Sequence, residues 1–133
     1  MFTSGAPFIC YAFTSIKGFS KFGSYTGNGN TNGPFVYLGF KPAYFLIKGI
    51  DVTQNWQVWD NKRNDFPGNA REETLSPSVA NAESGNYPVD FLSNGVKIRD
   101  TDSAWNGDGE PYIYMAFASN PFVATNDVIA LAG

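Results

Sequence analysis

The 133-residue sequence predicts an all-β fold, an antiparallel β-sandwich of jelly-roll or lectin-like kind with at most one short helical turn. Three observations carry that expectation. Apolar runs of strand length, rich in Val, Ile, Phe, Tyr and Trp, recur between turn signals about every eight to twelve residues. No helix-period pattern lies between them. The polar fraction is built from Asn, Ser, Thr and Gly, while only 16% of residues are charged, and a helix exterior needs the Lys, Glu, Arg and Ala that are scarce here. A chain of this length forms one domain, residues 1–133, burying roughly two thirds of its unfolded surface. Short arms are expected at 1–7 and 123–133.

The first strand is expected at Phe8–Ser15, where Phe, Ile, Tyr and Phe suit a pleated surface. It contains the single cysteine, Cys10, which rules out an intramolecular disulfide and reads as a small buried apolar residue. Ser24–Pro34 is a Gly/Asn loop. It resembles a phosphate cradle only in its glycines, since no Gly-Lys-Ser/Thr follows. Strands are next expected at Phe35–Phe40, Tyr44–Lys48 and Trp56–Trp59. Asn61–Pro88 is polar, and within it Ala70–Leu75 is the one place for a helical turn, ended by Pro77. Val89–Leu92 and Val96–Arg99 form a hairpin about Asn94-Gly95, a pair that suits a type I′ turn because both positions need positive φ. Val96 and Ile98 then face one way, Lys97 and Arg99 the other. Tyr112–Ala118 and Val128–Leu131 complete the set.

One internal echo stands out. Pro7-Phe-Ile-Cys-Tyr-Ala-Phe-Thr-Ser15 aligns with Pro111-Tyr-Ile-Tyr-Met-Ala-Phe-Ala-Ser119, with Pro, Ile, Ala, Phe and Ser identical in register. The expectation is two neighbouring strands of one sheet, at equivalent edges of a module that can be strung in tandem.

The chemistry is limited by what is missing. There is no His, the commonest general base and metal ligand, so Cys10 has no such partner to activate it. A net charge of −3 argues against a nucleic-acid partner. No run reaches the 18 or so apolar residues of a membrane helix, and the first residues carry no basic signal-peptide start. A soluble product with no cofactor, no membrane partner and no enzymatic activity is therefore expected. Asp100, Asp102, Asp108 and Glu110 cluster but fail the EF-hand spacing: Ala104 stands in place of a ligand, Trp105 in place of the glycine and Pro111 in place of the final Glu. The cluster reads as a solvated acidic loop, with cation binding by residues 100–110 left open. Trp56, Trp59, Asp60 and Trp105 are the candidates for contact with a glycan or partner. An exposed ring beside planar polar groups can stack on a sugar and take its hydroxyls. The competing expectation is that the Trp56 and Trp59 rings both pack in the core or against a loop and that Lys62 and Arg63 pair with Asp60 and Asp65.

Several phrases resemble a domain recurrent in structural proteins of marine tailed bacteriophages. They are Gly18-Phe-Ser-Lys-Phe-Gly-Ser-Tyr-Thr-Gly-Asn-Gly29, Gly33-Pro-Phe-Val-Tyr-Leu-Gly-Phe-Lys-Pro-Ala43, Asn55-Trp56, Trp59-Asp-Asn-Lys-Arg63, Asp90–Arg99 and Tyr112–Phe122. The resemblance implies a non-enzymatic virion protein, a head-decoration or tail/fibre-associated surface subunit made in the host cytoplasm. It implies other virion proteins, capsid or tail subunits, as partners, and a homo-oligomer. Met1-Phe2 and Val128–Leu131 are the contact candidates. No catalytic residue comes with it. The alternative is a lectin-like adhesion module that recognises host surface sugars.

Overall fold

Alternation along the longest strands decides which side meets the core. In β3 (Pro42–Gly49), Phe45 and Ile47 are buried while Tyr44, Leu46 and Lys48 are only half-buried on the other side. In β7 (Pro111–Ala118), Tyr112, Tyr114 and Ala116 take the inner face. The computed structural model describes residues 5, 7, 9–63 and 68–121, and among these the fold is all-β, without helix. The other strands are β1 (Ser20–Thr26), β2 (Phe35–Tyr37), β4 (Gln57–Asp60), β5 (Val89–Leu92) and β6 (Gly95–Ile98). They form two antiparallel sheets, one in the order β1-β7-β3-β4 and one in the order β2-β6-β5.

The two sheets pack face to face. Phe45, Ile47, Trp59, Tyr114 and Ala116 from the larger sheet meet Val36, Val89, Phe91, Val96 and Ile98 from the smaller, with Leu38, Phe40 and Trp105 filling the ends. Burying each large apolar side chain contributes roughly 1.5–3 kcal/mol, so this layer is the main source of stability.

The strands at Tyr44–Lys48, Trp56–Trp59, Val89–Leu92, Val96–Arg99 and Tyr112–Ala118 appear where the sequence places them, within one or two residues. Phe35–Phe40 is shorter than expected. Beyond Tyr37 the amides of Leu38 and Gly39 both turn to the Asn94 carbonyl, at 2.9 and 3.0 Å, and Gly39 takes a φ of 82°. The hairpin at 89–98 forms, but Ser93 and Asn94 are its turn and neither Asn94 nor Gly95 has positive φ. Gly95 serves a different need: the Val36 carbonyl and the Phe35 ring lie where its side chain would go.

Four expectations are overturned. Residues 9–15 form no strand, and the neighbours of β7 are β1 and β3. The echoing segments therefore do not lie side by side in one sheet. Among the described residues, Phe13 meets the Phe117 ring edge-on. The strand that takes the place is Ser20–Thr26, partly assigned to the Gly/Asn loop because Phe22 and Tyr25 are its only large apolar residues. Cys10, on the segment that stands off the sheet, is exposed rather than buried. Ala70–Leu75 is extended and bridged to strands, not a helical turn. The strand expected at Val128–Leu131, the arm at 123–133, and Met1-Phe2 lie outside the described residues.

The two flanks of the sandwich are finished differently. On one, residues 69–76 close both sheets at once. Leu75 bridges to Val58 on β4, Arg71 bridges to Val89 on β5, and the Asn69 side chain both accepts from the Phe91 amide (2.9 Å) and donates to its carbonyl (3.1 Å). On the other flank β1 and β2 are the edge strands. There Lys21 donates to the Tyr37 carbonyl (2.8 Å) and lies over the Tyr37 ring, joining the two edges across the sandwich.

Candidate functional site

The residues nominated for ligand contact do not come together on a surface. Trp59 is 0% exposed and Trp105 2%, and their rings meet edge-to-face at 5.5 Å. Trp59 Nε1 donates to the Tyr87 carbonyl (2.9 Å), and the Tyr87 ring packs edge-on against Trp105 at 4.9 Å. The strand parity of β4 sends Trp59 inward, so neither ring can stack on an external sugar. Asp60 is occupied as well. It accepts from the amides of Lys62 and Arg63 and from Arg63 Nε at 2.7 Å, and Arg63 also reaches Glu83 at 3.1 Å. Burial works to raise the Asp60 carboxyl, but these donors outweigh it and hold the group below its ordinary value. Asp60 thus pairs with Arg63, as the competing expectation has it, but takes only the backbone amide of Lys62, while Asp65 lies outside the described residues.

Trp56 is the one nominee left accessible, 37% exposed on the outer side of the larger sheet. With Phe22, Ser24, Ile113 and Met115 it lines a shallow apolar groove of about 530 Å³. The groove follows from alternation, because residues 113, 115 and 117 of β7 and residues 22 and 24 of β1 all point away from the core. Phe13 extends this face, stacked on Phe22 at 5.7 Å. Beyond Phe13 the chain stands clear, with Tyr11 78% and Ile9 80% exposed.

The acidic loop has a structural centre that sequence reasoning passed over. Asn106 is fully buried and joins the two loops at one end of the sandwich. Its Oδ1 accepts from the Asn28 amide (2.9 Å), and its Nδ2 donates to the carbonyls of Asn30 (2.8 Å) and Asp100 (2.6 Å). Two tyrosines anchor the same loop to the sheet. Tyr25 donates to the Trp105 carbonyl (2.7 Å) and stacks on Tyr112, which donates to the Ser103 carbonyl (2.6 Å). Burial first, and then the neighbouring Tyr112, pushes the Tyr25 hydroxyl well above its ordinary value. Tyr112 is raised by burial, against the Gly107 amide and with help from Glu110 and Asp102. Asp102 accepts from the Ala104 amide at 2.8 Å, turning the loop. Among the described residues, no group of three or more Asp, Glu, Cys or His stands close enough to hold a metal ion.

A polar cavity of about 260 Å³ lies beside this loop, lined by Gln54, Gln57, Thr74, Ser84, Asp102 and Trp105 among others. Gln57 Oε1 accepts from the hydroxyls of Thr74 (3.2 Å) and Ser76 (3.1 Å). Trp105 Nε1 is buried and has no hydrogen-bond partner among the described residues. A buried donor of this kind favours a hydroxyl or carbonyl nearby.

No curated protein and no solved structure matches the chain. Residues 1–121 match a protein family described as a domain of unknown function, DUF7483, and since that match spans nearly the whole β-sandwich, the chain belongs to this family.

Proposed function

We propose that this chain is a non-enzymatic structural subunit at the surface of a tailed-phage virion, joined to other copies and to capsid or tail proteins. The resemblance of several segments to phage structural proteins supports the phage setting. The observation that carries the structural role is the apolar, open side of the sandwich: Ile9, Tyr11 and Phe13 run onto a face that also presents Phe22, Ile113 and Trp56. Contiguous exposed apolar surface of this kind marks a contact site. The Asn-, Thr- and Ser-rich remainder, with a net charge of −3, suits a protein held at high local copy number without a large field. The test is quantitative mass spectrometry of gradient-purified particles from the genome that encodes the chain, with immunogold labelling. The chain is expected in fixed proportion to the major capsid or tail protein. Its presence in the lysate but not in particles would overturn the reading.

A second reading, a sugar-binding module, draws support from the polar cavity and the unpartnered Trp105 Nε1. Its test is the indole N–H resonance of Trp105 titrated with monosaccharides. A saturable shift that Gln54→Ala weakens supports it, and unmoved resonances at high sugar concentration count against it. Trp59→Ala and Trp105→Ala cannot serve here, because both remove core rings.

A further inference from the structure

Among the described residues, the outer edge of β1 is unpaired over most of its length. The Ala118 amide donates to the Phe19 carbonyl and the Gly27 amide to the Glu110 carbonyl, so the odd-numbered residues of β1 hydrogen-bond to β7. The even-numbered residues therefore direct their amides and carbonyls outward. The first two are used. Ser20 pairs with Ile16, and the Phe22 amide donates to Ser15 Oγ at 3.1 Å. Ser24 and Thr26, both exposed, follow with no strand beside them among the described residues. Edge strands are commonly protected by an outward Lys. Here the one charge on β1, Lys21, is drawn across to β2 by Tyr37.

Beside this edge stands a segment with the sequence of a strand and, among the described residues, no strand partner. Residues 9–15 carry the β7 pattern, identical at Ile9, Ala12, Phe13 and Ser15 to Ile113, Ala116, Phe117 and Ser119. β7 is the strand that already pairs with β1, with its odd residues on the outer face. Phe13 occupies that same face, against Phe22 and Phe117.

The chain's own turn works against pairing this segment with its own β1. Continuing the Ile16–Ser20 bridge as a hairpin sets Phe13 opposite Gly23, on the core face, because register and face are locked together. Phe13 sits on the opposite face instead, and the ladder stops where Ser15 Oγ takes the Phe22 amide. A segment arriving from another molecule has no such constraint. Neither strand repels the other either, since Ile9–Ser15 and Phe22–Thr26 are both uncharged.

We propose that residues 9–13 of one copy add as an antiparallel strand to the outer edge of β1 in a second copy, with Ile9 and Tyr11 on the face of Phe22 and Ile113. The segment leaves its own subunit beside its own β1, so two copies can exchange segments reciprocally about a two-fold axis. Backbone hydrogen bonds supply the pairing, and the exposed apolar side chains are covered. This self-association does not depend on the virion reading.

The test is sedimentation equilibrium of the full chain over a concentration series, with two variants. The wild type is expected to dimerise or assemble further. Tyr11→Asp and Ser24→Pro are each expected to weaken association at least tenfold, with far-UV circular dichroism unchanged. Ser24→Pro removes an outward amide that the subunit itself does not use, and Tyr11→Asp alters a side chain in solvent. Chemical crosslinking locates the contact. Cys10→Ser/Ser24→Cys chains mixed with wild type are expected to give a bis-maleimide product of twice the chain mass. A wild type that stays monomeric at high concentration, association unaffected by both variants, or a mixed crosslinking reaction in which wild-type Cys10 is never joined to the Ser24→Cys thiol would each overturn the proposal.

Discussion

The two flanks of this sandwich present the same problem, an edge strand in each sheet, and solve it in opposite ways. On the β4/β5 side, residues 69–76 supply backbone and side-chain partners along both edges. On the β1/β2 side the edge is held at its ends and by its inner face. The Ile16–Ser20 bridge fixes one end of β1, Tyr25 and the Asn106 junction fix the other, and Lys21 crosses to β2. Closure along the edge stabilises a subunit and hides it from others. Fixation at the ends gives an ordered strand that still offers its amides. The difference separates the part of the molecule that maintains the fold from the part free to make contacts.

The largest effect is expected at the closed flank's anchor. Trp59→Ala removes a fully buried ring and the donor to Tyr87, and should lower unfolding free energy by about 3–5 kcal/mol in urea denaturation. Next comes the loop junction. Asn106→Ala leaves the Asn28 amide and the Asn30 and Asp100 carbonyls without their partner, for an expected loss of about 2–3 kcal/mol and a clear drop in Tm. Asn69→Ala releases both backbone groups of Phe91. About 1–2 kcal/mol is expected, together with faster amide exchange at Phe91 than at residues of β3.

Tyr25 tests how β1 is held. Its hydroxyl is raised in the folded state by burial and by Tyr112, so the folded chain favours the neutral form. That contribution is complete below the ordinary value of 10.0 and is lost as pH rises through the higher folded value. Alkaline unfolding should therefore set in above pH 10. Tyr25→Phe should cost about 1 kcal/mol at neutral pH, through the lost bond to Trp105, and should flatten this alkaline loss. The smallest effect belongs to the open flank. Tyr11→Asp should leave the stability of the single subunit within about 0.5 kcal/mol, because the side chain meets solvent.

Period-2 alternation and turn residues are enough to place six of the seven strands, β2 over only the first half of its expected run, and the sandwich class, because each of these strands turns large side chains to the core. β1 was hidden for the same reason. Its neighbours cover one edge and one face only, so Gly23 and Ser24 can stand where a central strand would need large side chains. Gly23 in fact lies under the Tyr114 ring. The segment at 9–15 misled in the other direction. It has strand composition, but its register conflicts with the Ile16–Ser20 turn, and local propensity carries no information about register. Of the nominated site residues, strand parity separates Trp56 from Trp59 without saying which turns inward, and packing against Tyr87 and Trp105 makes it Trp59. Trp105 and Asn106 were not legible, since their burial depends on two loops meeting 78 residues apart in sequence.

Among the described residues one flank is closed and the other has an unpaired edge, which on our proposal a second copy fills. Residue-resolved hydrogen exchange at low and high protein concentration tests it most directly. In dilute solution the amides of Ser24 and Thr26 should exchange much faster than those of Val58, Val89 and Phe91, which the 69–76 segment protects. On concentration, Ser24 and Thr26 should slow at least tenfold while the closed-flank amides stay unchanged. Equal protection of both edges in dilute solution, or exchange at Ser24 and Thr26 that ignores concentration, would contradict the account.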